Sequence, residues 1–316
     1  MPEPADVVLS AQHLTKRFGR REAVADVSFD VRAGEVFGFL GPNGAGKTTT
    51  IRMLVGLARP DRGTIRIRGL DLARHFEEAL SHVGCIVESP DLYRYLTGRE
   101  NLLHFARMLG AGAAGRIDEL AALVSLAERL DDKVSTYSLG MRQRLGIAQA
   151  LLGHPDVLIL DEPANGLDPA GIREIRHLVR SLARERGMSV FVSSHLLSEI
   201  ELMCDRVAIV HRGKTLAAAP VQELLARVGS DRLLVRALPA ASAAEVIARF
   251  GAVEPLPGAG DGRDEPAPEV AARVPPERVP ELLRALVAAG VDVHTIERPE
   301  ASLEEIFLEI TESQTV

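Results

Sequence analysis

Gly41-Pro42-Asn43-Gly44-Ala45-Gly46-Lys47-Thr48-Thr49 fits the pattern G-x-x-x-x-G-K-[ST], a phosphate-binding loop. Its surroundings fit as well. Val36-Phe37-Gly38-Phe39-Leu40 before it is an apolar run of strand length, and Lys47 to Val55 after it reads as a helix. Glycines let backbone N–H groups wrap a phosphate chain, and the helix N-terminus adds the positive end of a dipole. In such a loop Lys47 reaches the outer phosphates and the Thr48 hydroxyl ligates Mg²⁺. A Gly-rich turn carrying a chance lysine would not need this strand and helix around it.

Composition sets the frame for that loop. The chain has 316 residues, enough for two domains, and its 46% hydrophobic and 26% charged content is that of an ordinary soluble globular protein. The formal net charge of -7 argues against nucleic acid as the main partner. No apolar run approaches the roughly 18 residues of a spanning helix, and Met1 to Asp6 lacks the basic and apolar regions of a signal peptide. Cys85 and Cys204 have no metal-ligand spacing and read as free thiols of a reducing cytoplasm. There is no internal repeat.

Upstream of the loop, Val7 to Ser10 and Ala25 to Val31 read as strands, with Leu14 to Gly19 as a polar turn between them. Phe18 in that turn either stacks on a nucleotide base or packs the turn onto the sheet. Downstream, Thr64 to Gly69 alternates apolar and basic residues, as a half-exposed strand does, and Val83 to Glu88 is a short strand ending in an acid. The texture then turns helical. Thr97-Gly98-Arg99-Glu100 is a capping box ahead of Leu102, Phe105, Ala106 and Leu109 on one face, and a second helix spans about 116–126. Residues 90–153 read as a helical insertion in an α/β domain. Within it, Ser138 and Gly140 open a helix, and such a start either binds an anion or is a plain N-cap.

Val157 to Leu160 is a buried strand ending in Asp161 and Glu162, where α/β sheets bind ligands. Asp161 can hold Mg²⁺, and Glu162 can polarise a water for attack on a γ-phosphate. Asp168 and Pro169 are an N-cap and a first helical residue. Met188 to Ser194 is another buried strand, and His195 ends it in the same sheet as the two acids. From about Gly229 the composition shifts to Ala, Pro and Glu. The order there is strand 232–238, helix 242–250, strand 252–256, an acidic Gly/Pro loop, strand 269–274, helix 277–289, strand 291–297 and helix 302–311, with capping boxes at Ser242 to Glu245 and Ser302 to Glu305.

Taken together, residues 7–228 resemble the ATP-binding subunit of ABC transporters. Gly41 to Thr49 is similar to that family's Walker A loop. Asp161 and Glu162 match the Walker B aspartate and the catalytic glutamate. Ser138 and Gly140 match the signature sequence, Asp168 the D-loop and His195 the switch histidine. Phe18 falls where the family places the aromatic that stacks on adenine. Two departures stand out: Leu139 and Met141 replace a Gly and the Gln of the signature, and Glu88 stands where most members have the Q-loop glutamine, beside Mg²⁺ or a water. The segments Ser138 to Arg144 and Leu96 to Leu102 resemble bacterial exporters of antibiotics and peptides such as bacitracin, whose ATPase is a chain separate from the membrane subunit.

The resemblance implies an α/β P-loop ATPase over residues 1–229, with a RecA-like core, an antiparallel β subdomain and the helical subdomain. Residues 230–316 follow as a small α/β accessory domain. It implies ATP and Mg²⁺ as ligands, a homodimer that sandwiches two ATP molecules, and a polytopic membrane permease. The chain would then be cytoplasmic, touching the membrane only through that permease, with no nucleic acid partner. A soluble ABC ATPase of translation or DNA repair is the alternative. It would carry tandem cassettes, a coiled-coil insertion or zinc-binding cysteines, none of which is written here. A small-molecule P-loop kinase would leave Ser138 to Arg144 and His195 unexplained.

Overall fold

Three runs in this chain are buried without alternation: Val36–Leu40, Val157–Asp161 and Ser189–Ser194 are buried along their whole length. Strands of that kind belong in the middle of a parallel sheet covered on both faces. The computed structural model describes residues 7–110, 112–228, 232–254, 269–298 and 302–312. The chain separates into two compact units, Met1–Val221 and Gln222–Val316.

The first unit opens with β1 (Val7–Phe18) and β2 (Arg21–Arg32), an antiparallel hairpin. β3 (Val36–Leu40) then enters the parallel sheet and leads through the glycine loop into α1 (Lys47–Leu54). β4 (Arg62–Ile67) and β5 (Leu70–Asp71) extend the hairpin on the β1 side. α2 (Phe76–Ser81) precedes β6 (Val83–Ile86). Three helices follow in the insertion: α3 (Gly98–Leu109), α4 (Ile117–Leu123) and α5 (Leu139–Ala150). β7 (Val157–Asp161), α6 (Pro169–Arg186), β8 (Ser189–Ser194), α7 (Leu197–Met203) and the hairpin of β9 (Arg206–His211) and β10 (Lys214–Pro220) complete the core. The sheet order is β5-β4-β1-β2-β10-β9-β3-β8-β7-β6. From β9 to β6 every pairing is parallel. The antiparallel part meets this core at one parallel bridge, Lys214 opposite Asp26. Phe29, Phe37, Phe39 and Phe191 join the two parts, with ring centroids 5.3 to 6.0 Å apart.

Helix ends follow their sequence signals. Thr97 and Glu100 form the reciprocal capping box of α3, and Ser138 and Asp168 accept from Met141 N and Gly171 N at the starts of α5 and α6. α6 stops at Gly187, whose φ of 63° is left-handed. One stretch differs from expectation. Leu14 to Phe18 is strand, not turn, so the hairpin turn sits at Gly19 and Arg20. The alternation that should have revealed this is broken at His13, with a φ of 52° and a register shift between Ala11 and Leu14.

α8 (Val221–Val228) follows β10. The second unit then runs β11 (Arg232–Leu238), α9 (Ala240–Ile247), β12 (Ala252–Glu254), β13 (Glu269–Arg273), α10 (Val279–Ala288), β14 (Asp292–Glu297) and α11 (Leu303–Glu312). The sheet order β12-β13-β11-β14, antiparallel throughout, is that of a βαββαβ ferredoxin-like unit. Its core is apolar, with Val235, Ile247, Leu282 and Leu286 buried. The capping box at Ser302 and Glu305 is present. The one expected at Ser242 is not: α9 starts two residues earlier, from Pro239 as N-cap, because Ala240 and Ala241 are strong helix formers. The acidic Gly/Pro loop lies outside the described residues.

Candidate active site

Two of the loop's glycines are dictated by space. A Cβ at Gly41 would meet Val210 O at 2.3 Å, and one at Gly46, where φ is 102°, would meet Ala23 O at 2.6 Å. The loop therefore lies flat against β9 and β2, and α1 starts at Lys47 with Gly46 as its cap.

Lys47 is 5% exposed. Its ammonium donates to Gly41 O at 2.7 Å and stands 3.2 Å from Glu162 Oε1. The other oxygen of Glu162 is 2.7 Å from His195 Nδ1. Asp161, buried at the end of β7, accepts from Ser193 Oγ at 2.6 Å. Parallel pairing of β3, β7 and β8 brings these groups together: their C-terminal ends open on one side of the sheet, and each functional residue sits at or just past such an end.

Two cavities share Thr48 and Glu162 as walls. One, of about 420 Å³, is lined by the loop, Arg21 and Phe18. The other, of about 650 Å³, is lined by Glu88, Asp161, Leu139 and Gln143 among others. The Phe18 ring is 55% exposed. It is held at the rim through its neighbours: Arg17 N donates to Asp61 at 2.7 Å and Lys16 Nζ donates to the same carboxyl at 3.1 Å. Those bonds hold Asp61 below the usual carboxylate range. If this ring carries base stacking, Phe18→Ala should cost about 1–3 kcal/mol of nucleotide affinity, equally for ATP and GTP, because a π-face does not read hydrogen-bond edges. Parallel titrations of the two nucleotides measure it, and unchanged affinity would assign the ring to packing.

Glu88 has a φ of 68° and places its carboxylate 2.5 Å from Arg52 on α1. Both side chains are largely exposed, so the pair adds little stability. Ser138, Gly140 and Asp168 line neither cavity. Ser138 and Asp168 stand exposed at the starts of α5 and α6.

Thr48 and Asp161 offer hard oxygen donors in one cavity, and the second oxygen of Asp161 accepts no hydrogen bond among the described residues. No group of three or more His, Cys, Asp or Glu among the described residues is arranged to hold a metal. That donor set fits Mg²⁺, which takes one or two protein ligands and completes its shell with phosphate oxygens and water. Sequence reasoning missed Ser193 and Arg52. Ser193 is one of three serines in the fully buried β8, and a buried hydroxyl needs partners.

A strand, glycine loop and helix, with two acids at the end of a parallel strand one place beyond the neighbouring one, define a P-loop nucleoside triphosphatase. The family profile described as ABC transporter matches residues 24–165. The chain is 46% identical over 304 residues to the uncharacterized ABC transporter ATP-binding protein YhcH of Bacillus subtilis (strain 168), covering 96% of each chain. It is 49% identical over 220 residues to the bacitracin transport ATP-binding protein BcrA of Bacillus licheniformis, covering 70% of this chain and 72% of that one. A solved structure of the ATP-binding subunit of an ABC transporter superposes with a TM-score of 0.62 at 32% identity, covering 70% of this chain and 93% of that one. The chain belongs to the ABC transporter family, as an ATP-binding subunit and ATPase.

Proposed function

We propose that this chain powers an exporter of antibiotics, peptides or other small molecules whose cargo path lies in a separate polytopic membrane permease. One observation carries the reading. Lys47 and His195 meet on the carboxylate of Glu162, next in the chain to Asp161, while Ser138 and Gly140 stand apart at the start of α5. A single chain thus holds two complementary half-sites, and a homodimer would close two ATP molecules between them.

On this reading Lys47 and the backbone N–H groups from Asn43 to Thr49 grip the phosphates. Thr48 and Asp161 hold Mg²⁺, with Glu88 the third candidate on the same cavity. Mg²⁺ held there would supply neutralisation of phosphate charge. Glu162 takes the proton of the attacking water, and His195 orients Glu162 through their 2.7 Å contact. Ser138 and Gly140 of a second copy face the γ-phosphate from the other side, and Asp168 lies at the same junction. Residues 1–229 carry the ATPase and 230–316 an accessory domain.

No helix of the described residues is long and apolar enough to cross a membrane. The reading therefore puts the chain on the cytoplasmic face, held there by its permease. Co-expression of the chain with whichever polytopic membrane protein its neighbouring genes encode tests this. The expected result is co-elution and ATP hydrolysis stimulated by the membrane partner. Fractionation with ribosomes or DNA, and never with the membrane protein, would sink the exporter reading in favour of a soluble ABC ATPase.

A further inference from the structure

Ser193 sits on β8 directly opposite Asp161 of β7, and its side chain has 0% exposure. It follows Val190, Phe191 and Val192, all of them fully buried. A hydroxyl in such a place must be paired, and this one is paired twice. It donates to Asp161 Oδ1 at 2.6 Å and accepts from the backbone N–H of Glu162 at 3.0 Å. One buried hydroxyl therefore touches both acids of the site, through the carboxylate of one and the main chain of the other.

The second contact falls where the backbone needs it. Glu162 has a φ of 47°, a left-handed conformation that non-glycine residues adopt only when their surroundings hold them there. In this conformation the Glu162 carboxylate lies between Lys47 and His195. The first contact engages one oxygen of Asp161 and leaves the other to ligate.

We infer that Ser193 is a positioning residue that fixes Asp161 for the metal and Glu162 for the water at once. This rests on the roles given to Asp161 and Glu162 above. Outer partners of metal-holding groups affect metal affinity or activity by about 10–100-fold when removed, and Ser193→Ala removes a partner of both acids.

The test uses the purified full chain. For Ser193→Ala, kcat should fall by about 10–100-fold and the KM for Mg²⁺–ATP should rise. Binding of a fluorescent ATP analogue should lose most of its Mg²⁺-dependent enhancement, while affinity in EDTA stays as in wild type. Ser193→Thr and Ser193→Val form the control pair, since they share a shape and differ in the hydroxyl. Thr should restore the Mg²⁺ enhancement and kcat, and Val should not. Equal behaviour of the Thr and Val chains overturns the inference. So does a Ser193→Ala chain whose affinity in EDTA falls in step with its kcat, which would mark a purely structural role. Asp161→Asn and Glu162→Gln are measured alongside. If Asp161→Asn keeps the Mg²⁺ enhancement, or Glu162→Gln keeps wild-type turnover, the reading of the acids fails and the inference with it. If both behave as read while the Thr and Val chains match, only the role of Ser193 fails.

Discussion

Lys47→Ala should bind ATP far more weakly than wild type and show no turnover above background. The ammonium sits at 5% exposure among Gly41 O, Pro42 O and the Glu162 carboxylate. A charge-assisted hydrogen bond is worth about 1.5–3 kcal/mol. Two of them to the outer phosphates amount to roughly 3–6 kcal/mol, or roughly a hundredfold to ten-thousandfold in affinity. The substitution also strips Glu162 of its cation. With nothing between them, its charge would meet the incoming phosphates directly, which adds to the loss. Nucleotide titration and phosphate release, with circular dichroism to verify the fold, check the result. Wild-type hydrolysis in this variant would remove the loop from the chemistry.

The sequence makes that loop legible because the motif is local: nine consecutive residues contain the turn, the lysine and the helix start. Asp161, Glu162 and His195 are legible for a related reason. Each ends a run of apolar residues, and in a parallel sheet the ends of such runs converge whatever the lengths of the connections.

What the sequence hid depends on pairing across the chain. Arg52 and Glu88 meet although 36 residues separate them, because Arg52 on α1 reaches the segment just past β6. Nothing in either segment announces the other. Ser193 is one of three serines in β8, so nothing local sets it apart, and its partners follow from the register of β8 on β7, which puts it opposite Asp161. Phe18 was misplaced into a turn because a bulge at His13 breaks the two-residue period of β1. The consequence for function is that Phe18 stands at the end of a sheet strand and is more firmly held than a turn residue.

Glu162→Gln should lower hydrolysis by about 10²–10⁴-fold, the usual contribution of a general base. The amide keeps the size and shape of the side chain and loses its basicity. Lys47, Thr48 and Asp161 are untouched, so ATP should still bind. Lys47 also loses its 3.2 Å ion pair with Glu162 and so meets less competition for its ammonium, so affinity should not fall. With hydrolysis blocked, a sandwich bridged by ATP from Lys47 of one copy to Ser138 of the other has no route to reopen. The variant should therefore shift from monomer to dimer on size-exclusion chromatography when ATP is added. Ser138→Arg on the same chain should abolish the shift, because the exposed start of α5 would then carry a long side chain where the γ-phosphate has to approach. The two readouts separate two claims. Wild-type hydrolysis in Glu162→Gln would count against Glu162 as the base. A variant that hydrolyses nothing and stays monomeric at saturating ATP would leave the base in place and count against a self-sufficient homodimer, pointing to a different ATPase chain or a required membrane partner.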